Sequence, residues 1–167
     1  MSVRPTVYIE SSVISYLAAR ASRDVMVAGH QVATAEWWDS CLPKLRAFIS
    51  PVVIQEVSDG DPEAAAKRQA VARGIEQLDI TDEVTLLARE YFDAIVLPES
   101  ARGDALHLAL ATCHGLDYLV TWNCRHLANE RVRRIVREIN DRQGLGTPMI
   151  CTPEELLESW HVERPDC

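Results

Sequence analysis

Short apolar runs rich in β-branched residues alternate along this chain with longer segments of helical periodicity. Runs of this length are typical of buried strands, whereas apolar residues three or four positions apart are typical of helices. We predict strands at residues 6–9, 47–49, 78–80, 118–121 and 149–150. Helices are predicted between them, including residues 64–77, 104–114 and 131–141. Because strands that alternate with helices require a sheet covered on both faces, we predict an α/β protein with a mainly parallel sheet.

The length and composition are those of one globular domain. The 167 residues are 47% apolar and 25% charged, which is enough to bury a core without disulfides. We predict a single domain over residues 1–160 and a frayed tail over residues 161–167. No apolar run is long enough to cross a bilayer and no signal-peptide pattern is seen, so we expect a cytoplasmic protein without membrane contact.

The net charge and the cysteine pattern argue against three classes of protein: those that coat nucleic acid, those held by disulfides and those with a zinc site. The 17 basic and 25 acidic residues give a net charge of −8, which argues against a protein that coats nucleic acid electrostatically. A local basic patch would still suffice for an enzyme that cuts a particular RNA, and a basic partner protein would also suit this charge. The five cysteines are scattered and contain no Cys-x-x-Cys pair. Neither a disulfide framework nor a zinc site is therefore expected.

Four separated segments each place an acid or an amide beside an apolar run. Glu10 follows the first predicted strand and Asn123 follows the fourth, while Glu56 and Asp104 lie on predicted helices. In open parallel sheets the carboxyl ends of the strands line the crevice where ligands bind. Three carboxylates and one amide that converge there would form an oxygen-rich site for a hard divalent cation such as Mg²⁺.

Each of these four residues also has a simpler structural interpretation. Glu10 could accept the free N–H groups of the helix that follows it. Glu56 could be a solvated helix residue, Asp104 an N-cap and Asn123 a turn residue. A carboxylate directly after an apolar strand is costly unless something binds it, so a functional role is favoured at Glu10.

Taken together, the four segments match a pattern. They are Tyr8-Ile9-Glu10-Ser11-Ser12, Ile54-Gln55-Glu56, Asp104-Ala105-Leu106-His107-Leu108-Ala109 and Tyr118-Leu119-Val120-Thr121-Trp122-Asn123. From the first strand to about Ile150, the chain resembles the PIN domain, and specifically the VapC-like toxins of VapBC-type toxin–antitoxin pairs. The third and fourth segments are the most specific, since acid-Ser-Ser alone is a weak signal.

The resemblance implies a PIN-like (flavodoxin-like) three-layer α/β/α sandwich with a metal-dependent endoribonuclease activity. The residues that would hold Mg²⁺ or Mn²⁺ are Glu10, Glu56 and Asp104. Asn123 would assist catalysis through its amide or a bound water, and Ser11, Ser12 and Thr121 would support the site. The metal-bound water would attack the RNA phosphate and leave a 3′-hydroxyl and a 5′-phosphate. The implied partners are the RNA substrate, an antitoxin protein and a second copy of the chain in a homodimer.

Two residues depart from the family pattern, in which the acidic set is Asp, Glu, Asp, Asp. Glu10 replaces the first aspartate and keeps a carboxylate with one more methylene of reach. Asn123 replaces the last aspartate and removes one negative charge. A PIN-like binding or regulatory module with a weakened site is therefore the alternative to a nuclease. A phosphotransfer domain ranks last, because no Gly-rich phosphate loop follows the first strand.

Other polar and aromatic residues near these segments have two interpretations each. We expect His107 to pack in the core, and Trp37 and Trp38 fit a core or an interface equally. The possible RNA contacts are Arg125, His126 and Arg134. The simpler expectation is an exposed loop for His126 and a solvated helix face for Arg134.

Overall fold

The computed structural model describes residues 3–163, with side chains as far as Trp160. The strands in this range are β1 (Thr6–Ile9), β2 (Arg46–Ile49), β3 (Glu76–Gln77), β4 (Tyr118–Val120) and β5 (Met149–Cys151). The helices are α1 (Ser11–Ala18), α2 (Val25–Ser40), α3 (Pro51–Ser58), α4 (Pro62–Ala72), α5 (Asp82–Ile95), α6 (Arg102–Cys113), α7 (Glu130–Gln143) and α8 (Pro153–Glu163). Short 3₁₀ turns at Leu42–Lys44 and Glu99–Ala101 precede β2 and α6.

The five strands form one parallel sheet in the order β3-β2-β1-β4-β5. The central strand, β1, pairs with both β2 and β4, so the chain builds one half of the sheet before it crosses to the other. Ile9 lies opposite Val120, and the N–H of Glu10 donates to the Val120 carbonyl at 3.1 Å. Neighbouring parallel strands whose connections leave in opposite directions open a crevice at their carboxyl ends. The segments that follow β1 and β4 therefore line this crevice.

Helices cover both faces of the sheet. One layer contains α1, α2, α3, α4 and α8, which contact one another, and the other contains α5, α6 and α7. Because parallel crossovers are right-handed, the direction in which the chain moves across the sheet decides the face on which each helix packs. The result is a three-layer α/β/α sandwich, which confirms the predicted fold class.

Several predicted elements have different bounds in the structure. The helix predicted over residues 64–77 ends at Ala72, because Gly74 turns the chain with a φ of 84°. The third strand is Glu76–Gln77 rather than residues 78–80. Helix α6 begins at Arg102, two residues before the predicted start. Helix α8 continues to residue 163, beyond the predicted end of the domain, and residues 164–167 of the predicted tail lie outside the described residues.

The core lies on both faces of the central strand, β1. Val7, Tyr8 and Ile9 of β1 are fully buried, and Trp37 of α2 packs with the same cluster. Trp37 is therefore a core residue, while its neighbour Trp38 is only partly buried against the cluster. Among residues 3–163, no helix combines the length and the apolar character needed to span a bilayer.

Candidate metal centre

Glu10 places a buried carboxylate at the carboxyl end of the central strand. It is only 4% exposed and is itself the N-cap of α1, where its Oε2 accepts the N–H of Ser12 at 3.1 Å. The hydroxyls of Ser11, Ser12 and Thr121 also donate to this carboxylate, at 2.8 Å for Ser11 and 2.7 Å for Thr121. The cap is the acid and not one of the serines, because α1 begins at Ser11 and Glu10 before it keeps the extended backbone of an N-cap, with a φ of −78° and a ψ of 154°.

Glu56 projects from α3 towards the same point. The Ser11 hydroxyl also lies within hydrogen-bond distance of the Glu56 carboxylate, so its single proton is shared between Glu10 and Glu56 and links the two acids. Both carboxylate oxygens of Glu56 lie 3.1 Å from Nε2 of His107. Burial acts to raise the pKa of Glu56, but the hydrogen bond and charge of His107 outweigh it and the pKa is lowered. Glu56 is thus held as a carboxylate and is not a solvated helix residue.

His107 is fully buried, as expected, but it is a polar member of the site. Its Nδ1 lies 2.7 Å from the hydroxyl of Tyr8, which lies 2.7 Å from the hydroxyl of Ser50. Burial acts to lower the pKa of His107, yet the hydrogen bond and charge of Glu56 raise it overall. Burial raises the pKa of Tyr8 well above its usual value, so the phenol keeps its proton. The imidazole is therefore anchored at both nitrogens.

Asp104 lies in the first turn of α6, beside the segment that follows β4. The amide nitrogen of Asn123 donates to its Oδ1 at 3.1 Å, and Nδ1 of His126 lies 2.9 Å from its Oδ2. Burial raises the pKa of Asp104, partly offset by His126. Asp104 is not the N-cap: Ala101 takes that position and has no capping side chain. His126 is not a freely exposed loop residue, because it binds Asp104.

The carbonyl oxygen of Asn123 is occupied by the protein itself. It accepts the backbone N–H of His126 at 3.0 Å, while the amide nitrogen faces Asp104. This orientation follows from chemistry, since an N–H needs an acceptor and a carboxylate needs a donor. Asn123 therefore positions Asp104 and fixes the loop that carries His126.

A hydrogen-bonded chain joins the two halves of the site. The backbone N–H of Asn123 donates to the Thr121 hydroxyl at 2.9 Å, and that hydroxyl donates to Glu10. The backbone N–H of Trp122 donates to the Ser12 hydroxyl at 2.8 Å. The charge of Glu10 is also close enough to act on the pKa of Asp104. The structure thus brings all four sequence-predicted residues to one end of the sheet.

Gly103 allows α6 to approach Glu56 closely. A Cβ at this position would lie 2.7 Å from Oε1 of Glu56 and 3.6 Å from Cγ1 of Val52. Carbon and oxygen atoms that are not bonded to each other do not come this close, so a side chain here would displace the carboxylate. Nothing in the sequence alone indicated this role, because it depends on a contact between α3 and α6.

The donor set suits a divalent cation. One ligand atom from each of Glu10, Glu56 and His107 can be chosen so that all three lie within 4.8 Å of one another. Carboxylate oxygens suit Mg²⁺ and Mn²⁺, whereas an imidazole nitrogen favours Mn²⁺ and other transition metals over Mg²⁺. The second nitrogen of His107 is held by Tyr8, as is usual for a metal-binding histidine. The sequence did not single out this nitrogen, although His107 lies one helical turn after Asp104.

The remaining predicted residues lie around the centre. Arg125 is exposed on the loop after β4. Arg134 is exposed on α7 and pairs with Glu138 at 3.3 Å, which fits the solvated-face interpretation. Cys124 is also in this loop, and partial burial together with Glu155 raises the pKa of its thiol. A thiol that stays protonated is a poor nucleophile, in agreement with an ordinary loop cysteine.

The fold is similar to that of a toxin–antitoxin structure. A chain in the crystal structure of VapBC2 from Rickettsia felis, bound to a DNA fragment from their promoter, matches with a TM-score of 0.57 and 15% sequence identity. The match covers 88% of this chain and 98% of that chain. The likeness shows the fold. No protein-family model matches the sequence, and no curated protein matches it.

Proposed function

We propose that this protein is a metal-dependent endoribonuclease of the PIN type, with Glu10, Glu56 and Asp104 as carboxylate ligands of Mg²⁺ or Mn²⁺. The observation that carries the proposal is that ligand atoms of Glu10, Glu56 and His107 lie within 4.8 Å of one another at the carboxyl end of β1. Asp104 is not in this group of three, but the charge of Glu10 acts on its pKa, so we propose it as the third carboxylate ligand. Within residues 3–160 the ion-pair partners of the three carboxylates are histidines, and no lysine or arginine pairs with them. Clustered carboxylates repel one another unless a cation joins them.

The surrounding side chains would hold these ligands in place. A bound divalent ion lowers the pKa of a coordinated water and neutralises charge on the phosphoryl group. Glu10 is fixed by three hydroxyls, Glu56 by His107, and Asp104 by Asn123 and His126. Carboxylates that are already oriented need no rearrangement when the substrate arrives, which favours catalysis.

We further propose that the protein acts in the cytoplasm as the toxin of a toxin–antitoxin pair. Its fold is similar to a chain of a VapBC2 structure, and its four motifs resemble those of VapC-like toxins. An antitoxin is then the expected protein partner, and a homodimer is the expected assembly. Induced expression of the wild type should arrest bacterial growth, whereas Asp104→Ala should not. Arrest of equal strength by both would contradict a toxin that acts through this site.

The direct test is cleavage of a mixed RNA pool by purified protein in Mn²⁺, Mg²⁺ or EDTA. We expect cutting that needs a metal, leaves 5′-phosphate ends and disappears in Asp104→Ala. Asp104 caps no helix, so the variant should keep the fold, which circular dichroism checks. Cleavage by Asp104→Ala at the wild-type rate would overturn the role of this residue.

A catalytically weakened binding module is the second candidate. The observation that favours it is Asn123, whose amide nitrogen, not an oxygen, faces Asp104. The site therefore lacks the fourth acid that the family pattern contains. Wild-type protein that is folded and binds Mn²⁺, yet cuts no RNA in any condition, would support this candidate over the nuclease.

A further inference from the structure

An open groove begins beside the candidate metal centre and passes between the end of α5 and the start of α7. Its volume is about 710 Å³. Residues 95–98 form one wall, and the loop after β4 with the first turn of α7 forms the other. His126 lines this groove and also binds Asp104. His126 therefore connects the groove to the candidate metal centre, although none of the proposed carboxylate ligands lines the groove.

The groove is basic in a protein that is acidic overall. It is lined by Arg125, His126 and Arg131 and by no acidic residue, although the chain has a net charge of −8. Among the ion pairs within residues 3–160, none involves Arg125 or Arg131. Their charges are not cancelled by paired carboxylates, so a negatively charged ligand would be attracted to this groove.

One of the two arginines is already held in position. Nη1 of Arg131 donates to the carbonyl oxygen of Ile95 at 3.0 Å and so joins α7 to the end of α5. A guanidinium has several further N–H donors in a planar fork that fits phosphate oxygens. An arginine that is fixed before binding loses less side-chain entropy when a phosphate arrives.

The opposite wall is apolar and partly exposed. Val96 is 78% exposed and has a left-handed backbone with a φ of 59°. This conformation is unfavourable for a β-branched residue. Pro98 is also exposed on the same wall. Unpaired bases can lie against apolar side chains while their phosphates face basic ones, whereas the bases of a duplex are stacked out of reach.

We infer that this groove binds single-stranded RNA on one side of the phosphate that is cut. Arg125 and Arg131 contact backbone phosphates, and the exposed side chains of Val96 and Pro98 contact bases. This inference rests on the proposed nuclease function and adds the path of the substrate. It also replaces Arg134 with Arg131 among the RNA contacts, because Arg134 pairs with Glu138 and does not line the groove.

The test measures RNA binding in EDTA, where cleavage does not interfere. Fluorescence anisotropy of a short labelled single-stranded RNA is followed against salt for wild type, Arg125→Gln, Arg131→Gln and the double variant. Each lost phosphate contact should reduce the slope of log affinity against log salt by about 0.7. At about 0.15 M salt, this corresponds to an RNA affinity about fourfold lower than that of wild type. The double variant should lose about 15-fold. The matched control is Arg73→Gln with Arg137→Gln, which removes the same charge from exposed positions outside the groove.

Two outcomes would overturn the inference. One is unchanged binding in the double variant, which would leave the groove to another ligand such as an acidic protein segment. The other is an equal loss in the control pair, which would show only an effect of net charge. Arg131→Gln also removes the bond to Ile95, but Arg125 has no such bond, so Arg125→Gln keeps the test decisive. If RNA binding depends on Arg125 and Arg131 but the wild type cuts no RNA, the nuclease function is rejected and the groove is not. If the wild type cuts RNA and neither Arg125→Gln nor Arg131→Gln changes binding or cleavage, the groove is rejected and the nuclease function is not.

Discussion

Nε2 of His107 lies 3.1 Å from both carboxylate oxygens of Glu56 and 4.0 Å from Oε1 of Glu10. A fully buried imidazole thus stands between two acids that come from different elements. Its other nitrogen is fixed by Tyr8, so the ring cannot turn away. This arrangement orients Glu56, and it partly neutralises the acidic pair when no cation is bound.

Replacement of His107 by glutamine should weaken Mn²⁺ binding by about 10- to 100-fold, because Glu56 loses the group that orients it. Isothermal titration calorimetry with Mn²⁺ measures the change. His114→Gln is the matched control, since this histidine is exposed after the end of the same helix and its ring nitrogen is paired with the Asp79 carbonyl, away from the metal centre. Equal Mn²⁺ affinity in wild type and His107→Gln would show that the imidazole neither binds nor orients a ligand.

Replacement of Asn123 by aspartate should make the protein more dependent on a cation. The new carboxylate would face Asp104 at about the distance of the present hydrogen bond, 3.1 Å, and the two acids would repel each other. We therefore expect a lower melting temperature than wild type in EDTA, tighter Mn²⁺ binding, and a larger rise in melting temperature on Mn²⁺ addition. Unchanged or weaker Mn²⁺ affinity would place residue 123 outside the shell of ligands.

Gly103→Ala should reduce metal affinity and RNA cleavage far more than it reduces stability. The added Cβ would meet Oε1 of Glu56 at 2.7 Å, and the carboxylate can escape only by leaving His107 and Ser11. Gly29→Ala is the control, because a Cβ at Gly29 has no atom within 4 Å. Gly29 lies within α2, so this change should stabilise the protein by about 0.5–1 kcal/mol and leave metal binding unchanged. Metal affinity equal to wild type in Gly103→Ala would contradict the close approach.

The free energy of unfolding should decrease at alkaline pH because of Tyr91. Burial raises its pKa to about 12 from an ordinary value of 10, so the folded state keeps a proton that the unfolded state releases. The stabilisation is complete below pH 10 and is lost as the pH rises from 10 towards about 12. Urea unfolding of wild type and Tyr91→Phe across this range checks the sign.

The phenylalanine variant should be about 1–2 kcal/mol less stable at neutral pH, because Asn140 and Thr112 lose their partner. Its stability should then depend less steeply on pH than that of wild type. Equal slopes for the two proteins would show that Tyr91 does not control this transition.

The sequence predicted the sheet and the four polar positions, because both follow from local patterns. Apolar runs mark buried strands, and Glu10 and Asn123 lie where two of those strands end. The prediction for the edge strand β3 begins two residues after the observed strand, which has only two residues, both exposed. Local patterning carries little information about so short an exposed strand.

The partners of these residues could not be predicted in the same way. His107 and Glu56 are 51 residues apart, and Thr121 and Glu10 are 111 residues apart. Such pairs are set by how helices pack on the sheet and not by the residues on either side. The role of Gly103 and the orientation of Asn123 depend on the same packing.

The central position of β1 has a consequence for the order in which the protein is made. Strand β1 is synthesised before β4, which begins at Tyr118, so β1 lacks its second neighbour until that part of the chain has been made. Until then Glu10 lacks the Thr121 hydroxyl, and Asp104 lacks both Asn123 and His126. A nascent or truncated chain that stops before β4 therefore carries the acids without an assembled centre. Under the proposed nuclease function, RNA cleavage would therefore require the chain to extend past β4 and the loop that carries Asn123 and His126.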